Sequence, residues 1–272
     1  MKKITISKNC NGEKYVSFPF FCNGKAVDGA RWGMTLRSAG SMRFRWNETN
    51  ENRIQTLQQI GDSFGGRTVA QVQLDHTKLV EVVDGADETF EKISDGIITK
   101  NSMLMPVVTV ADCMPLFLFD PVTKFFGVVH SGWKGTGIVE KAVGLAVQNF
   151  SAKPEDICVA IGPHIRSCCY VVNQERADYF FRNFSLDCVK RIEEGEVLCK
   201  GAACSWNSGS GPLYRLSLED ANISVLARSG IREENIVIAT DCTCCNDIFG
   251  SNRRETSLGT EFTVQAAFCV SL

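Results

Sequence analysis

The feature that most limits what this chain can become is a pair of apolar runs, Met114–Phe119 and Phe125–Val129, broken by Asp120-Pro121. Runs of that length bounded by a turn signal read as buried strands. A hairpin there carries the chain out and back. Cys113 stands just before the first run and His130 just after the second, so a separation of 17 residues collapses to a side-chain contact. Directly after His130 come Ser131-Gly132-Trp133-Lys134-Gly135-Thr136-Gly137 and then an apolar-periodic stretch. The pattern predicts a strand, a glycine-rich turn and a helix over about 137–150, with Ile138, Ala142, Leu145 and Ala146 on its apolar side and Val139 and Val143 flanking. Such a turn leaves backbone N–H groups pointing over the helix start, which favours an anion.

Around this centre the chain reads as mixed strands and helices. Two short strands are expected on either side of Asn11-Gly12, the stronger at Lys14–Phe21. Asn50 opens a helix whose apolar face is Ile54, Leu57 and Ile60, with Gly61 as its stop. Thr68–Gln73, Lys78–Val83, Gly96–Thr99, Ile157–Ile161, Ile236–Ala239 and Thr263–Val270 read as strands, with His76 in the bend between the first two. Asn173 caps a helix striped by Ala177, Phe180, Phe181 and Phe184, and Ser217 with Asp220 opens another that ends at Gly230. Residues 195–213 are polar and loose, and Asn246–Arg254 reads as a polar tail to the strand before it. Strands and helices do not alternate strictly, so we expect mixed sheets and helices in one domain over 1–272, an α+β arrangement rather than a doubly wound one.

Composition narrows the function classes. The 272 residues are 44% hydrophobic with a net charge of −2, and no basic patch points to nucleic acid. The start, MKKITISKNC, lacks the apolar core of a signal peptide, and no apolar stretch approaches the ~20 residues of a membrane-spanning helix. A cytoplasmic protein is therefore expected. An odd 13 cysteines without an export signal argue against a disulfide framework and for metal binding or catalysis by some of them. Cys10, Cys22, Cys158, Cys188, Cys199 and Cys269 read as small buried hydrophobes. Only His76, His130 and His164 can supply imidazole.

His76, Cys113 and His130 form a candidate metal site. Zinc takes thiolate and imidazole, and a catalytic zinc keeps three protein ligands and one open position; copper also suits such a set. The same residues fit a metal-free reading, with Cys113 as nucleophile and His130 as base of a hydrolase or deamidase. Spacing does not separate the two. Lys134 offers a positive charge for phosphate and Trp133 a stacking face, although the stretch lacks the P-loop pattern. Cys242-Thr243-Cys244-Cys245 contains one C-x-x-C pair and Cys168-Cys169 is a second cluster. A zinc ribbon wants two spaced knuckles, so a structural zinc is not expected there. Arg253-Arg254 reads as a phosphate clamp or as solvated surface.

In chain order, ENR at 51–53, ADCMP at 111–115, HSGWKG at 130–135, IGPHIRSCCYVV at 161–172, CTCC at 242–245 and IFGSNRR at 248–254 resemble the sequence blocks of the laccase-domain, or polyphenol oxidase-like, proteins. The resemblance runs from about Arg37 to the end of the chain. It implies a four-layer α/β/β/α sandwich. It also implies zinc or copper held by Cys113, His130 and one more ligand, which is His76 or Gln73 according to how the Q-V-H-G block is aligned. The R-x-GG-x-S block is altered here to Arg37-Ser38-Ala39-Gly40-Ser41. Members are described as phosphorolysing adenosine, inosine and methylthioadenosine to free base and ribose 1-phosphate, as deaminating adenosine, and in some cases as editing peptidoglycan precursors. Oxidation of phenols by several copper centres needs more than three histidines. The resemblance thus implies a metal-dependent purine nucleoside phosphorylase or adenosine deaminase taking a purine nucleoside and phosphate. Cys113, His130 and Lys134 become catalytic candidates, and Arg37, Trp133, Gly135 and Arg253 substrate-binding ones. A Cys-His hydrolase of amides or cell-wall precursors and a non-catalytic zinc-binding module are the alternatives.

Overall fold

The computed structural model describes residues 1–7, 12–196, 199 and 211–272. The Met114–Phe119 run forms β8 and Phe126–Ser131 forms β9, antiparallel as the apolar pattern demands. They sit inside a mixed seven-stranded sheet. Its order is β1 (Lys2–Ile4), β14 (Ile236–Ala239), β10 (Cys158–Ile161), β8, β9, β6 (Gly96–Thr99) and β5 (Glu81–Val82). A five-stranded sheet runs β2 (Tyr15–Cys22), β3 (Lys25–Thr35), β15 (Gln265–Ser271), β7 (Leu104–Val110) and β4 (Thr68–Gln71). A small sheet joins β11 (Val171–Asn173), β13 (Leu213–Leu216) and β12 (Val189–Arg191).

Side-chain alternation along the central strands sets the layers. Phe117, Phe119, Val128 and Ala160 point at Trp32, Met34, Val108 and Ala267 of the five-stranded sheet and make a core between the sheets. Leu116, Leu118, Val129, Val159 and Ile161 point the other way, onto α2 (Ile138–Phe150) and α4 (Leu218–Arg228). The outer face of the five-stranded sheet, with Met105, Val107, Ala266 and Phe268, is covered by Leu57 and Ile60 of α1 (Glu51–Ser63). The result is the expected α/β/β/α stack, with α3 (Gln174–Asn183) and α5 (Asn252–Ser257) at its rim. No helix among the described residues is long and apolar enough to cross a membrane.

Several local expectations change. Gly61 does not stop α1, which runs on to Ser63. A Cβ there would lie 2.4 Å from the Arg67 carbonyl oxygen, so the glycine serves a close approach of chains. Ile54 and Phe181, expected on apolar faces, are exposed; α1 instead buries Arg53 and Thr56 beside Leu57 and Ile60. The strand at Lys78–Val83 shrinks to two residues. β3 and β7 have no counterpart in the sequence reading, because β3 mixes charges and glycines and β7 is a short apolar run holding a proline. β1 pairs in parallel with β14 rather than with β2, and part of the polar tail folds into α5. Cys10, Asn11 and most of the loose 195–213 stretch lie outside the described residues.

Candidate active site

Strand register assembles the site. In the β8–β9 pair Pro115 faces His130 and Met114 faces Ser131, so Cys113, one step further, meets Gly132. A Cβ on Gly132 would stand 3.0 Å from Cys113 Sγ and 3.1 Å from His76 Cδ2, so only glycine leaves room for these groups. On the other side β9 pairs with β6, Val129 facing Gly96, and the His130 N–H donates to the Asp95 carbonyl at 2.7 Å. Asp95 thus lies opposite His130, and its Oδ1 takes the His130 Nδ1–H at 2.8 Å. Since a carboxylate only accepts, Nδ1 carries a proton, and Nε2 is the nitrogen left to meet Cys113.

Asp95 also fixes the loop that delivers His76. Oδ1 accepts from the His76 N–H at 3.1 Å, and Oδ2 accepts from Thr77 N–H and Oγ1–H, each at 2.6 Å. His76 has a left-handed backbone, φ 55°, a conformation histidine tolerates better than most residues. His76, Cys113 and His130 each bring one ligand atom, all within 4.8 Å of one another. Gln73 is elsewhere, with its amide oxygen accepting from Trp46 N–H at 3.2 Å. One thiolate and two imidazoles, one of them oriented by a carboxylate, form a donor set suited to zinc or copper.

The electrostatics match. Burial works against the Cys113 thiolate, but the His130 imidazolium beside it overrides that and brings the thiol down to about 6. Burial works against charge on His130 too, yet Cys113 and Asp95 raise it to about 10. Burial opposes the Asp95 carboxylate, and the His130 and Thr77 hydrogen bonds still hold it below the usual range. Asp112 has φ 77°; its carboxylate accepts from Thr243 Oγ1–H and Arg253 N–H, both at 2.6 Å, anchoring the turn before Cys113.

This corner opens into a cavity of roughly 480 Å³ whose walls include Arg43, Phe44, Arg45, Trp133, Tyr170, Arg176, Arg253 and Phe262. Arg176 lies over the Trp133 ring, Cζ 4.4 Å from its centroid, and donates to the Tyr170 hydroxyl at 3.3 Å. Arg253 is buried, and both terminal nitrogens donate to the Val171 carbonyl, at 3.3 and 3.2 Å. The structure therefore brings His76, Cys113, His130, Trp133 and Arg253 to one space. Arg37, Lys134 and Gly135 lie off it. Arg37 is exposed and ion-paired with Glu255 at 3.1 Å. Lys134 is exposed and lines a neighbouring hollow with Arg182. Gly135 is buried where a Cβ would come 3.0 Å from the Thr77 carbonyl oxygen, so the glycine turn packs on the His76 loop. His164 is buried away from the cavity, its Nδ1–H donating to the Gly162 carbonyl at 2.8 Å, and burial pushes it down to about 4. The sequence reading passes over Asp95, which precedes a short strand like any turn residue, and over Arg43, Arg45 and Arg176, which no local pattern marks; Tyr170 lies in the 161–172 block but receives no role there.

Comparison with known proteins gives a consistent picture. Residues 43–266 match the family model described as multi-copper polyphenol oxidoreductase laccase. The purine nucleoside phosphorylase YlmD of Bacillus subtilis is 30% identical over 212 residues, 77% of this chain and 64% of that protein. The adenosine deaminase RL5 of an unknown prokaryotic organism is 29% identical over 185 residues, 66% of this chain and 64% of that one. The chain thus spans just under two thirds of the length of these relatives. The crystal structure of the hypothetical protein YfiH of Bacillus licheniformis superposes with a TM-score of 0.74 at 25% identity, over 89% of this chain and 92% of that one.

Proposed function

This chain belongs to the multi-copper polyphenol oxidoreductase laccase family, and we propose that it is a metal-dependent purine nucleoside phosphorylase that also deaminates adenosine. The observation that carries the reading is a shared space: a His-Cys-His corner and a wall of arginines and aromatic rings face one cavity of ligand-binding size. The relatives named above for phosphorolysis and deamination support the same substrate class. A zinc or copper ion held by His76, Cys113 and His130 would supply Lewis-acid polarisation at that corner. A cytoplasmic setting suits the thiolate, which needs a reducing compartment.

The chain's own residues account for the rest. Asp95 holds the Nδ1 proton of His130, so Nε2 is the nitrogen that would bind a metal at the Cys113 and His76 corner, giving up its own proton to do so. Arg176, and Arg253 with the N–H bonds it does not spend on the Val171 carbonyl, offer donors for phosphate, and Trp133, Tyr170 and Phe44 offer faces for a purine. In phosphorolysis the bond from C1′ to the base breaks and a phosphate oxygen bonds to C1′. Positive charge develops on the sugar as the base leaves, and an anion held by the arginines meets it, so positioning and electrostatics do most of the work. Phenol oxidation by several coppers does not fit a chain with three histidines, one of them, His164, buried away from the cavity.

A second reading is favoured by one feature. Asp95, His130 and Cys113 stand in line as orienter, base and nucleophile, the order a metal-free cysteine hydrolase uses. The test is phosphate-dependent release of hypoxanthine from inosine by zinc-loaded protein beside His130→Ala. We expect release that requires phosphate, zinc and His130. Metal-stripped protein that hydrolyses an amide and is silenced by alkylation of Cys113, with no release from inosine, adenosine or methylthioadenosine, would establish the hydrolase instead.

A further inference from the structure

We propose that Cys168, Cys169, Cys199 and Cys245 form a second metal site, closed by four thiolates around a single Zn²⁺. None of these residues belongs to the cavity described above, and the inference stands independently of the proposed reaction. The sequence offered one C-x-x-C pair and an inert Cys199; the fold brings the pieces together. The four sulfurs all lie within 4.8 Å of one another. The Cys168–Cys169 pair is 3.8 Å apart, Cys168–Cys245 3.6 Å and Cys169–Cys245 3.2 Å. Four thiolates about 2.3 Å from a tetrahedral zinc stand about 3.8 Å from each other, so these sulfurs need little movement to close on an ion. The grouping is too tight for a cluster of several irons, whose thiolates spread around more than one metal atom.

The donor chemistry selects the ion. Four sulfurs with no carboxylate or imidazole favour a soft or borderline metal over magnesium or calcium, and a tetrahedral sulfur set fits zinc. Zinc with four thiolates carries two net negative charges. Two guanidiniums already brace the loops that hold the sulfurs. Arg215 donates to the Cys168 carbonyl at 3.0 Å, and Arg254 donates to the carbonyls of Cys244 at 3.2 Å and Thr243 at 2.6 Å. The ligands come from distant points of the chain: the turn before β11, the turn after β14, and Cys199. Cys169 immediately precedes Tyr170, and Arg254 immediately follows Arg253, both cavity-wall residues. The ion therefore staples the wall that carries them, a structural role distinct from the open His-Cys-His corner.

The test is zinc content per chain, by elemental analysis of full-length protein purified under reductant. His130→Ala, which cripples the first site, should keep one zinc that resists mild chelation. Cys168→Ser/Cys245→Ser should lose that zinc, falling below about a tenth of an ion per chain at the second site. Cobalt replaces zinc in folded His130→Ala as a second readout, expected to show tetrahedral absorption with intense thiolate charge transfer. That measurement does not depend on the double variant folding. His130→Ala protein without tightly held zinc, a cobalt spectrum with fewer than four thiolates, iron–sulfur absorption, or a Cys169–Cys245 disulfide in the reduced preparation would each overturn the proposal.

Discussion

Asp95→Asn is the substitution that most directly probes how the site is built. The carboxylate has four donors around it: His130 Nδ1–H and His76 N–H on Oδ1, Thr77 N–H and Oγ1–H on Oδ2. An amide of the same shape has one accepting oxygen. If its NH₂ faces Thr77, it opposes a backbone N–H. If it faces His130, that ring must carry its proton on Nε2, the nitrogen aimed at the metal. Either way two charge-assisted hydrogen bonds weaken, each worth roughly 1.5–3 kcal/mol, and a net loss of about 3 kcal/mol is expected. For a chain of this size that is a fall of roughly 6–12 °C in melting temperature, measured on metal-stripped protein so that binding does not contribute. Orienting partners of ligand histidines typically control metal affinity by about 10–100-fold, so competition with a zinc chelator should show a loss in that range. Zinc affinity within about threefold of wild type, with melting unchanged, would refute the claim that Asp95 orients His130 and His76.

Two further expectations follow from the same geometry. Gly132→Ala puts a methyl 3.0 Å from Cys113 Sγ and 3.1 Å from His76 Cδ2, and should weaken zinc binding about tenfold or more and cost the metal-free fold about 1–3 kcal/mol, read by chelator competition and by metal-free melts. His164 supplies a pH dependence. Burial lowers its folded value to about 4, against about 6.5 unfolded, so between those values the unfolded chain binds more protons and stability rises with pH. The stability is complete above pH 6.5 and falls as pH drops toward 4, about 2 kcal/mol of it by pH 5. His164→Asn, which keeps a donor for the Gly162 carbonyl, should flatten that slope in urea melts at pH 7.5 and 5.

Much of this was legible in the chain. The β8–β9 pair, the approach of Cys113 to His130, helix α2 and the caps Asn50, Asn173 and Ser217 all appear where local pattern placed them. Each is a short-range signal: a turn between apolar runs, a 3.6-residue period, or a side chain reaching an N–H three residues on. The laccase-domain blocks extended that reading to the four-layer stack, and left His76 or Gln73 as the partner of Cys113 and His130.

What the sequence by itself determined, then, is which segments are buried strands and helices and where the reactive thiol and imidazole sit on them. Tertiary structure alone decided which distant residues meet. Asp95 acts on His130 because β6 lies beside β9 in one particular register, and a shift of a single residue would turn its carboxylate to the other face of the sheet. Cys168, Cys169, Cys199 and Cys245 come together although they lie far apart in the chain, and Arg176 reaches the cavity because α3 packs there. Such meetings arise from many weak contacts summed across the whole core, and no window of neighbouring residues contains that sum.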